Sequence, residues 1–344
     1  MSNPRAHLHA ASAPPAPSWL TPEQFLRFRN LLAAFSGVHL DITRQRWLEQ
    51  SLARRLAATG DSLAGYEQRL GGAPDELRRL AELVLNHETL FFRNGPHFQA
   101  LRNVLLPELH RQKPAGAPIR IWSAGCSTGE EAYSLAITAL EALGQPPARP
   151  VEIWATDLSE PALQKARAGV YRGRTLQNVP DAIAQRYFTS QGDNLKIGAA
   201  ARALVRFEQL NLLEAFPRAA QGVDLIFCQN VTIYFQLTTC RELIARFYQC
   251  LPVGGLLFLG FSETLWNVFD RFQTREVAGA YLYIKGEPEP ARKPAARAAP
   301  PLGRAGGAVP PAPARQARHS GRQSPRRAPH RWQGSTPPAR TRAD

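Results

Sequence analysis

Several features that identify common classes of protein are absent from this sequence. No run of 18 apolar residues occurs among its 344 residues, so we expect no membrane-spanning helix. The first 20 residues contain no continuous apolar stretch, and we expect no secretory signal there. The few cysteines form no CxxC pair and show no metal-ligand spacing, which indicates buried thiols, no metal site and a cytoplasmic location; they are Cys126, Cys228, Cys240 and Cys250.

The charge of the chain is strongly positive but unevenly distributed. The formal net charge is +14, and residues 287–344 alone carry 12 Lys+Arg against 3 Asp+Glu. Those residues are rich in Pro, Ala, Arg and Gly, which is typical of a disordered tail, and we expect residues 1–20 to be disordered too. The charge therefore predicts no specific nucleic-acid surface, although the tail could tether the chain to nucleic acid or to an anionic membrane.

Residues 21–86 predict an all-α N-terminal domain. Thr21 and Pro22 are typical of a helix start, and the helix that they begin should stop at Gly37. A second helix is expected over about residues 43–58, because Leu48, Leu52 and Leu56 fall on one face of it. Two shorter helices are expected at 62–70 and 74–85.

From residue 119 to 286, predicted strands alternate with predicted helices, which is typical of an α/β domain with a mainly parallel sheet. The strands are expected at 119–124, 151–156, 203–210, 223–228 and 256–260, and the helices at 129–143, 159–168, 180–188 and 237–251. Residues 275–285 predict a hairpin or a terminal antiparallel strand. Residues 170–205 form an insertion with two short strands, 188–190 and 195–197, around a turn at 192–194. Residues 87–118 provide a linker and a helix.

The stretch 119–134, IRIWSAGCSTGEEAYS, predicts a strand that turns through glycines into a helix. Such a turn lets the backbone approach a ligand closely and points free helix N–H groups at it. Taken alone, the pattern fits a tight turn in any doubly wound domain equally well. The third glycine of a dinucleotide fingerprint and a GKS or GKT sequence are absent, so pyrophosphate binding is not predicted.

Acidic residues near this turn favour a cationic ligand. Asp157 ends the strand VEIWATD, where a carboxylate can accept hydrogen bonds from both ribose hydroxyls of an adenosine. Its alternative role is a helix N-cap, which Ser159 can take instead. Glu130 and Glu131 would repel a phosphate at the helix start. S-adenosylmethionine (SAM) combines an adenosine with a positive centre and has no phosphate.

Two further segments carry candidate site residues. FCQNVTIYF, residues 227–235, follows a predicted strand and should face the crevice of the sheet, although Tyr234 could equally be a core residue. NHETLFFRN, residues 86–94, joins the helical domain to the sheet domain, either as a buried plug or as simple interdomain packing. The sequence Asp/Asn-Pro-Pro-Tyr is absent, which argues against an adenine or glutamine nitrogen as a methyl acceptor.

In their order along the chain, these motifs resemble those of the chemotaxis receptor methyltransferases, the CheR family. The resemblance spans residues 21–285 and rests on HETLFFR, IWSAGCSTGEEAYS, ATDLS, LNLLE, VDLIFCQN, VTIYF and LPVGGLLFLGFSE. It implies a class I SAM-dependent methyltransferase domain, that is, a Rossmann-like sheet with a small inserted β-subdomain, preceded by an all-α domain. It also implies O-methylation of glutamate side chains on the cytoplasmic helices of chemoreceptors, with S-adenosylhomocysteine as the product.

The resemblance further implies a set of site residues. Arg93 and Tyr234 are expected to be catalytic, by holding and orienting the acceptor carboxylate. The expected cofactor-binding residues are His87, Thr89, Arg93, Glu131, Asp157, Asn211, Leu212, Gln229 and Asn230. The family commonly has Asn and Arg where this chain has His87 and Gln229, and we expect SAM binding to survive both differences. Gly125 and Gly129 are both expected to let the backbone approach the methionine portion of SAM.

The resemblance also bears on partners. A basic face of the second helix is expected to meet the receptor, with a solvated face as the alternative; it comprises Arg44, Arg46, Arg54 and Arg55. The turn at 192–194 is shorter than in relatives that bind a receptor's C-terminal pentapeptide, so we expect that this tether is not required. Two other functions stay open: a SAM-binding signalling adaptor with little turnover, and a methyltransferase for another acidic protein.

Overall fold

A computed structural model describes residues 18–287, and these begin with four helices. They are α1 (Pro22–Ser36), α2 (Gln45–Thr59), α3 (Leu63–Leu70) and α4 (Pro74–Val84), with a 3₁₀ turn at Ile42–Arg44 before α2. Thr21 caps α1 in a capping box with Gln24, and Gly37 ends the helix in a left-handed conformation. All four predicted helices are therefore confirmed. The predictions for the tail and for residues 1–17 lie outside the described residues.

The helical unit has an apolar core of its own. Phe28, Leu48, Leu52, Tyr66 and Leu80 are completely buried in it. Residues 18–20 belong to this unit, although the sequence predicts disorder for them, because the backbone amides of Trp19 and Leu20 donate hydrogen bonds to the Glu49 carboxylate at 3.0 Å. The boundaries predicted between the helical domain, the linker and the sheet domain stay predictions.

A continuous helical segment connects this unit to the sheet. It consists of α5 (Gly95–Ala100), a π-helical turn (Leu101–Leu105) and α6 (Leu106–Gln112), which together replace the single helix expected in the linker. A seven-stranded sheet follows, formed by β1 (Ile119–Ala124), β2 (Val151–Asp157), β6 (Val205–Gln209), β7 (Leu225–Cys228), β8 (Leu256–Leu259), β9 (Phe272–Val277) and β10 (Ala280–Lys285).

The order of the strands is β6-β2-β1-β7-β8-β10-β9, and the first five run parallel to one another. β10 pairs antiparallel with both β8 and β9, so the hairpin alternative for the last segment is confirmed, with the hairpin beginning at Phe272. Helices α7 (Glu130–Leu143), α8 (Glu160–Ala168) and α11 (Leu237–Cys250) connect the parallel strands. This Rossmann-like arrangement confirms the predicted fold class.

The insertion between β2 and β6 forms a small separate sheet. It contains β3 (Val170–Tyr171), β4 (Phe188–Gln191) and β5 (Asn194–Ile197), together with α9 (Asp181–Tyr187), α10 (Ala199–Arg202) and a 3₁₀ turn at Gly173–Leu176. β5 lies between β3 and β4 in an antiparallel sheet, and a two-residue turn at 192–193 joins β4 to β5. The two-residue strand β3 was not predicted, because it is too short to show an alternating pattern.

Parallel strands bring their carboxyl ends to one edge of a sheet, where ligands bind in folds of this type. The segments that follow β1, β2, β6, β7 and β8 therefore meet at that edge, and the helical unit packs beside it. Within residues 18–287, no helix combines the length and the apolar character required to cross a membrane.

Candidate active site

Two adjoining cavities form one cleft between the helical unit and the carboxyl edge of the sheet. The space between their walls, including the part open to solvent, is about 590 Å³ in one and about 630 Å³ in the other. Thr89, Arg93, Glu131 and Gln229 line the first cavity, whereas His87, Asp157, Asn211 and Leu212 line the second. Both cavities are lined by Asn86, Gly125, Ser127, Asn230 and Tyr234, which makes the cleft continuous. The structure thus brings all predicted cofactor-binding residues and both predicted catalytic residues together.

Asp157 is held rigidly in the wall of the second cavity. Its Oδ2 accepts a hydrogen bond from the Ser127 amide at 2.8 Å, and its Oδ1 accepts one from the Ser159 amide at 2.9 Å. The Ser159 hydroxyl caps α8, so Asp157 does not serve as the cap. Burial raises the pKa of Asp157, although hydrogen bonds from the Ser159 and Ser127 amides oppose the rise. Each carboxylate oxygen keeps a lone pair, which suits the two hydroxyls of a ribose.

Glu131 is a partly buried carboxylate at the other end of the cleft. Burial raises its pKa to about 7, while the Ser123 hydroxyl, which donates a hydrogen bond to Oε1 at 2.6 Å, opposes the rise. Burial also raises the pKa of the adjacent Glu130 to about 7. No Lys, Arg or His within residues 18–287 forms an ion pair with Glu131. Arg93 lines the same cavity and its charge lowers the pKa of Glu131, but it forms no ion pair with the carboxylate, so a cationic ligand could pair with Glu131 directly.

The two glycines of the β1–α7 turn have different roles. Gly125 has φ +82° and lines both cavities, and a Cβ there would lie 2.5 Å from Val231 Cγ2. Only a glycine allows the backbone to form the floor of the cleft at that position. For Gly129 the prediction is wrong, because this residue does not line the cleft. Its φ is +94°, and a Cβ there would lie 2.8 Å from Ala166 Cβ, so the glycine lets α8 pack closely against the turn.

Arg93 reaches the cleft from the segment that precedes α5. Phe91 is completely buried against Tyr171 and Phe188, which confirms a buried plug, whereas Phe92 is only partly buried. The backbone of Phe92 is left-handed, with φ +50°, and its amide donates a hydrogen bond to the Ser134 hydroxyl at 2.9 Å. This turn directs Arg93 outward, and its guanidinium donates a hydrogen bond to the Glu88 carbonyl at 3.2 Å. One side of the guanidinium fork stays available for a further acceptor.

Both ends of the Gln229 side chain form hydrogen bonds within the protein. Its Oε1 accepts a hydrogen bond from Asn94 Nδ2 at 2.8 Å, and its Nε2 lies 2.7 Å from His97 Nδ1. His97 Nε2 in turn lies 3.1 Å from the Tyr281 carbonyl, so a neutral ring protonated at Nε2 satisfies both contacts. Burial lowers the pKa of His97, which favours this neutral form. The difference from the Arg that the family commonly has is thus accommodated by a neutral hydrogen-bond network.

Tyr234 and Asn211 connect the helical unit to the sheet across the cleft. The Tyr234 carbonyl accepts a hydrogen bond from the His39 amide at 2.7 Å, and the Arg44 guanidinium lies 5.3 Å from the centre of the Tyr234 ring. The Asn211 amide nitrogen donates to the Phe35 carbonyl at 2.7 Å, and its Oδ1 accepts from the Leu213 amide. Through these contacts, the motif LNLLE after β6 and the motif VTIYF after β7 close the cleft on the side of the helical unit.

The predicted receptor-binding arginines do not share one environment. Arg46 and Arg54 are exposed on α2, and Arg44 lies at its start beside Tyr234. The Arg55 guanidinium instead forms two hydrogen bonds to the carboxylate of Glu76, at 2.7 and 2.9 Å, with only 18% of its side chain exposed. The structure therefore gives Arg55 a role in packing α2 against α4.

Some residues of the cleft were not predicted from the sequence. Asn86, Ser127 and Leu158 line it, and Asn94 and His97 support Gln229 from behind. Glu263 binds the segment that contains Asn230, although its motif LPVGGLLFLGFSE was recognised without a role for the carboxylate. A lone acidic residue after a strand gives no distinct signal in a single sequence.

Comparisons with known proteins identify the family of this chain. The family described as "CheR methyltransferase, SAM binding domain" matches residues 87–280. The chain is 38% identical to "Chemotaxis protein methyltransferase 2" of Pseudomonas aeruginosa strain PAO1, over 71% of this chain and 87% of that protein. It is 32% identical to "Chemotaxis protein methyltransferase 2" of Vibrio cholerae, over 78% and 96%, and 34% identical to "Chemotaxis protein methyltransferase" of Escherichia coli K12, over 74% and 89%.

Proposed function

The chain belongs to the CheR methyltransferase family, and we propose that it transfers a methyl group from SAM to glutamate side chains on the cytoplasmic helices of chemoreceptors. The observation that carries this proposal is the cleft itself, in which Arg93 and Tyr234 adjoin carboxylates that form no ion pair within residues 18–287. The products would be glutamyl methyl esters and S-adenosylhomocysteine.

The residues of the cleft fit SAM, the cofactor of this family. Asn230 Oδ1 is buried and has no hydrogen-bond partner among residues 18–287, so a donor from a ligand would satisfy it. Asp157 would hold the ribose, with His87, Asn211 and Leu212 beside it. Thr89, Glu131, Gln229 and Asn230 line the end that would receive the methionine portion, over the Gly125 backbone.

The chemistry requires little proton transfer from the protein. When bound, SAM supplies an electrophilic methyl group on a positively charged sulfur. A glutamate carboxylate is already ionised at neutral pH, so the site needs no general base. Ester formation removes one positive and one negative charge, and a site that excludes water favours such a reaction. The contribution of the protein is therefore mainly positioning and desolvation.

Arg93 and Tyr234 would do the positioning. A guanidinium matches the geometry of a carboxylate and can hold the acceptor without accepting its proton, because arginine stays charged. The Tyr234 hydroxyl would donate a hydrogen bond to the other acceptor oxygen. Tyr234 contacts the His39 amide and the Arg44 guanidinium, and Arg44 immediately precedes α2, which supports a role for α2 in receptor binding. The exposed α2 arginines would meet the acidic surface of a receptor helix.

A methyl-transfer assay tests this proposal. The purified chain is incubated with methyl-labelled SAM and with membranes that contain chemoreceptors, and the labelled product is then treated with alkali. We expect label on the receptor that alkali releases as methanol, since carboxyl methyl esters are labile to base. Label on another acidic protein would favour the broader methyltransferase function, and SAM binding without any transfer would favour the adaptor.

Variants locate the reacting groups in the same assay. Arg93→Ala should lower turnover at least about a hundredfold, and Tyr234→Phe about tenfold, because each removes a group that orients the acceptor. Arg102→Ala, an exposed arginine on the neighbouring π-helical turn, is the matched control and should retain activity. Undiminished turnover in Arg93→Ala would contradict the assigned role.

The inserted subdomain bears on how the receptor is bound. Its β4–β5 turn is only two residues long, and we propose that the enzyme does not require a C-terminal receptor pentapeptide. Titration of the chain with such a peptide by calorimetry should show no binding. Clear binding at micromolar concentrations would refute this part of the proposal.

A further inference from the structure

The carboxylate of Glu263 binds the segment that follows β7. Its Oε1 accepts hydrogen bonds from the Val231 amide at 3.1 Å, the Thr232 amide at 2.8 Å and the Thr232 hydroxyl at 2.6 Å. Its Oε2 accepts from the Asn230 amide at 2.6 Å and from the Gly260 amide at 2.7 Å. Five donors thus converge on one side chain, and three of them are consecutive backbone amides.

These contacts cannot be reproduced by an uncharged side chain of the same shape. Each oxygen of Glu263 accepts at least one backbone N–H, so the NH₂ group of a glutamine would face a donor in either orientation. A carboxylate accepts from all five because it has four lone pairs and a negative charge. Within residues 18–287, no Lys or Arg forms an ion pair with Glu263, and its main partners are therefore the backbone amides.

The segment held by Glu263 contains a residue in the left-handed conformation. Asn230 has φ +60°, in a region that Asn adopts more readily than most residues other than glycine. In this conformation Asn230 lines both cavities of the cleft. Its Oδ1 is buried and has no hydrogen-bond partner among the described residues. Tyr234 lies four residues further along the same segment.

Gly260 leaves room for this arrangement. A Cβ at this position would lie 2.7 Å from Glu263 Oε2 and 3.1 Å from the Asn230 amide nitrogen. A methyl group there would therefore separate the carboxylate from the amide that it binds. The requirement for glycine arises from the close contact between Glu263 and Asn230.

From these contacts we propose that Glu263 is a positioning residue for the cofactor. Its carboxylate holds residues 230–232 in the conformation in which the Asn230 side chain faces the cleft, and it does so without lining the cleft itself. The inference rests on SAM as the cofactor of the family and not on the proposed acceptor, so a test that measures cofactor binding stands whichever protein is methylated.

Calorimetric titration of the full chain with SAM tests the proposal. Glu263→Gln should weaken SAM binding at least about tenfold, because it removes hydrogen bonds to a charged acceptor. Gly260→Ala should weaken binding in the same direction. The matched controls are Glu242→Gln, at an exposed position on α11, and Gly72→Ala, where an added Cβ meets no atom within 4 Å. Both controls should bind SAM as the unchanged chain does.

A double-mutant cycle separates positioning from a general structural role. If Glu263 acts through Asn230, Glu263→Gln should weaken SAM binding little further in a chain that already carries Asn230→Ala. Fully additive losses would overturn the proposal, as would SAM affinity in Glu263→Gln within about twofold of the unchanged chain. If Glu263→Gln does not fold, the cycle with Gly260→Ala in its place gives the same decision.

Discussion

Two glutamates in this molecule have opposite electrostatic surroundings. Glu76 is buried in the helical unit, where burial would raise its pKa, but hydrogen bonds from Arg55 and Tyr66 outweigh that effect and the pKa is lowered. Glu131 lies in the cleft, where burial raises its pKa to about 7, and the Ser123 hydroxyl donates a hydrogen bond to its carboxylate. The same side chain is therefore stabilised as an anion in one region and destabilised in the other.

The difference separates a structural carboxylate from a binding carboxylate. Glu76 belongs to a closed set of partners, so it holds α2, α3 and α4 together. Glu131 carries the electrostatic cost of burial in the absence of a ligand, and that cost is recovered only when a cation enters the cleft. Burial of Glu131 thus lowers the stability of the cofactor-free protein and raises its affinity for a positively charged ligand.

Removal of Glu76 should have the largest effect on stability. Glu76→Ala leaves the partly buried guanidinium of Arg55 and the buried hydroxyl of Tyr66 without their acceptor, which should lower the free energy of unfolding by about 3 kcal/mol. Urea denaturation measures this change. Glu67→Ala, which removes the exposed ion pair with Arg27, is the control and should cost less than about 1 kcal/mol. Equal losses in the two variants would contradict the structural role of Glu76.

Glu131→Gln should have a smaller effect and one of opposite sign. The folded protein keeps a proton on Glu131 between the ordinary glutamate pKa of 4.5 and about 7, so stability falls as the pH rises through that window. Glutamine cannot ionise and can still accept a hydrogen bond from Ser123. At pH 8 the free energy of unfolding of the variant should therefore be about 1–3 kcal/mol higher than that of the unchanged chain. Urea denaturation of the cofactor-free chain at pH 5 and pH 8 should show a gain only at the higher pH. A loss of stability at pH 8 would contradict this account.

The α2 arginines extend the comparison to the surface. Arg54→Glu should raise KM for the receptor several-fold without altering SAM affinity, because Arg54 is exposed beside the proposed docking face. Arg218→Glu, an exposed position outside α2, is the charge-matched control. Arg55→Leu should mainly lower stability, since Arg55 pairs with Glu76. An equal rise of KM in Arg54→Glu and Arg218→Glu would assign the effect to net charge instead of to a specific face.

The strongest local patterns made most of the fold predictable from the sequence. The helices were identified by the cap at Thr21 and Pro22 and by leucines four residues apart. The sheet strands were identified by alternating apolar residues, and the predicted bounds agree within a few residues. The weak patterns failed. The two-residue strand β3 shows no alternation, and the π-helical turn at Leu101–Leu105 has no distinct pattern in the local sequence.

The candidate site was predictable where residues act through their own side chains in recognised motifs. Asp157, Glu131 and Arg93 fall into this class, and all line the cleft. Residues that act by holding other residues were not predicted. Glu263 binds the backbone amides of residues 230–232, and His97 contacts the Gln229 side chain on the side away from the cleft. For Arg55 and Gly129, whose patterns suggested contact with a receptor and with a ligand respectively, the structure shows that both residues serve tertiary packing.

The central claim is that the cleft selects a cationic cofactor through carboxylates that form no ion pair within residues 18–287. Calorimetric titration with SAM and with its neutral product, S-adenosylhomocysteine, at pH 6 and pH 8 tests it most directly. We predict that the affinity for SAM relative to the product rises with pH as Glu131 ionises, and that Glu131→Gln abolishes this rise. A ratio of the two affinities that does not change with pH in the unaltered chain would contradict the claim.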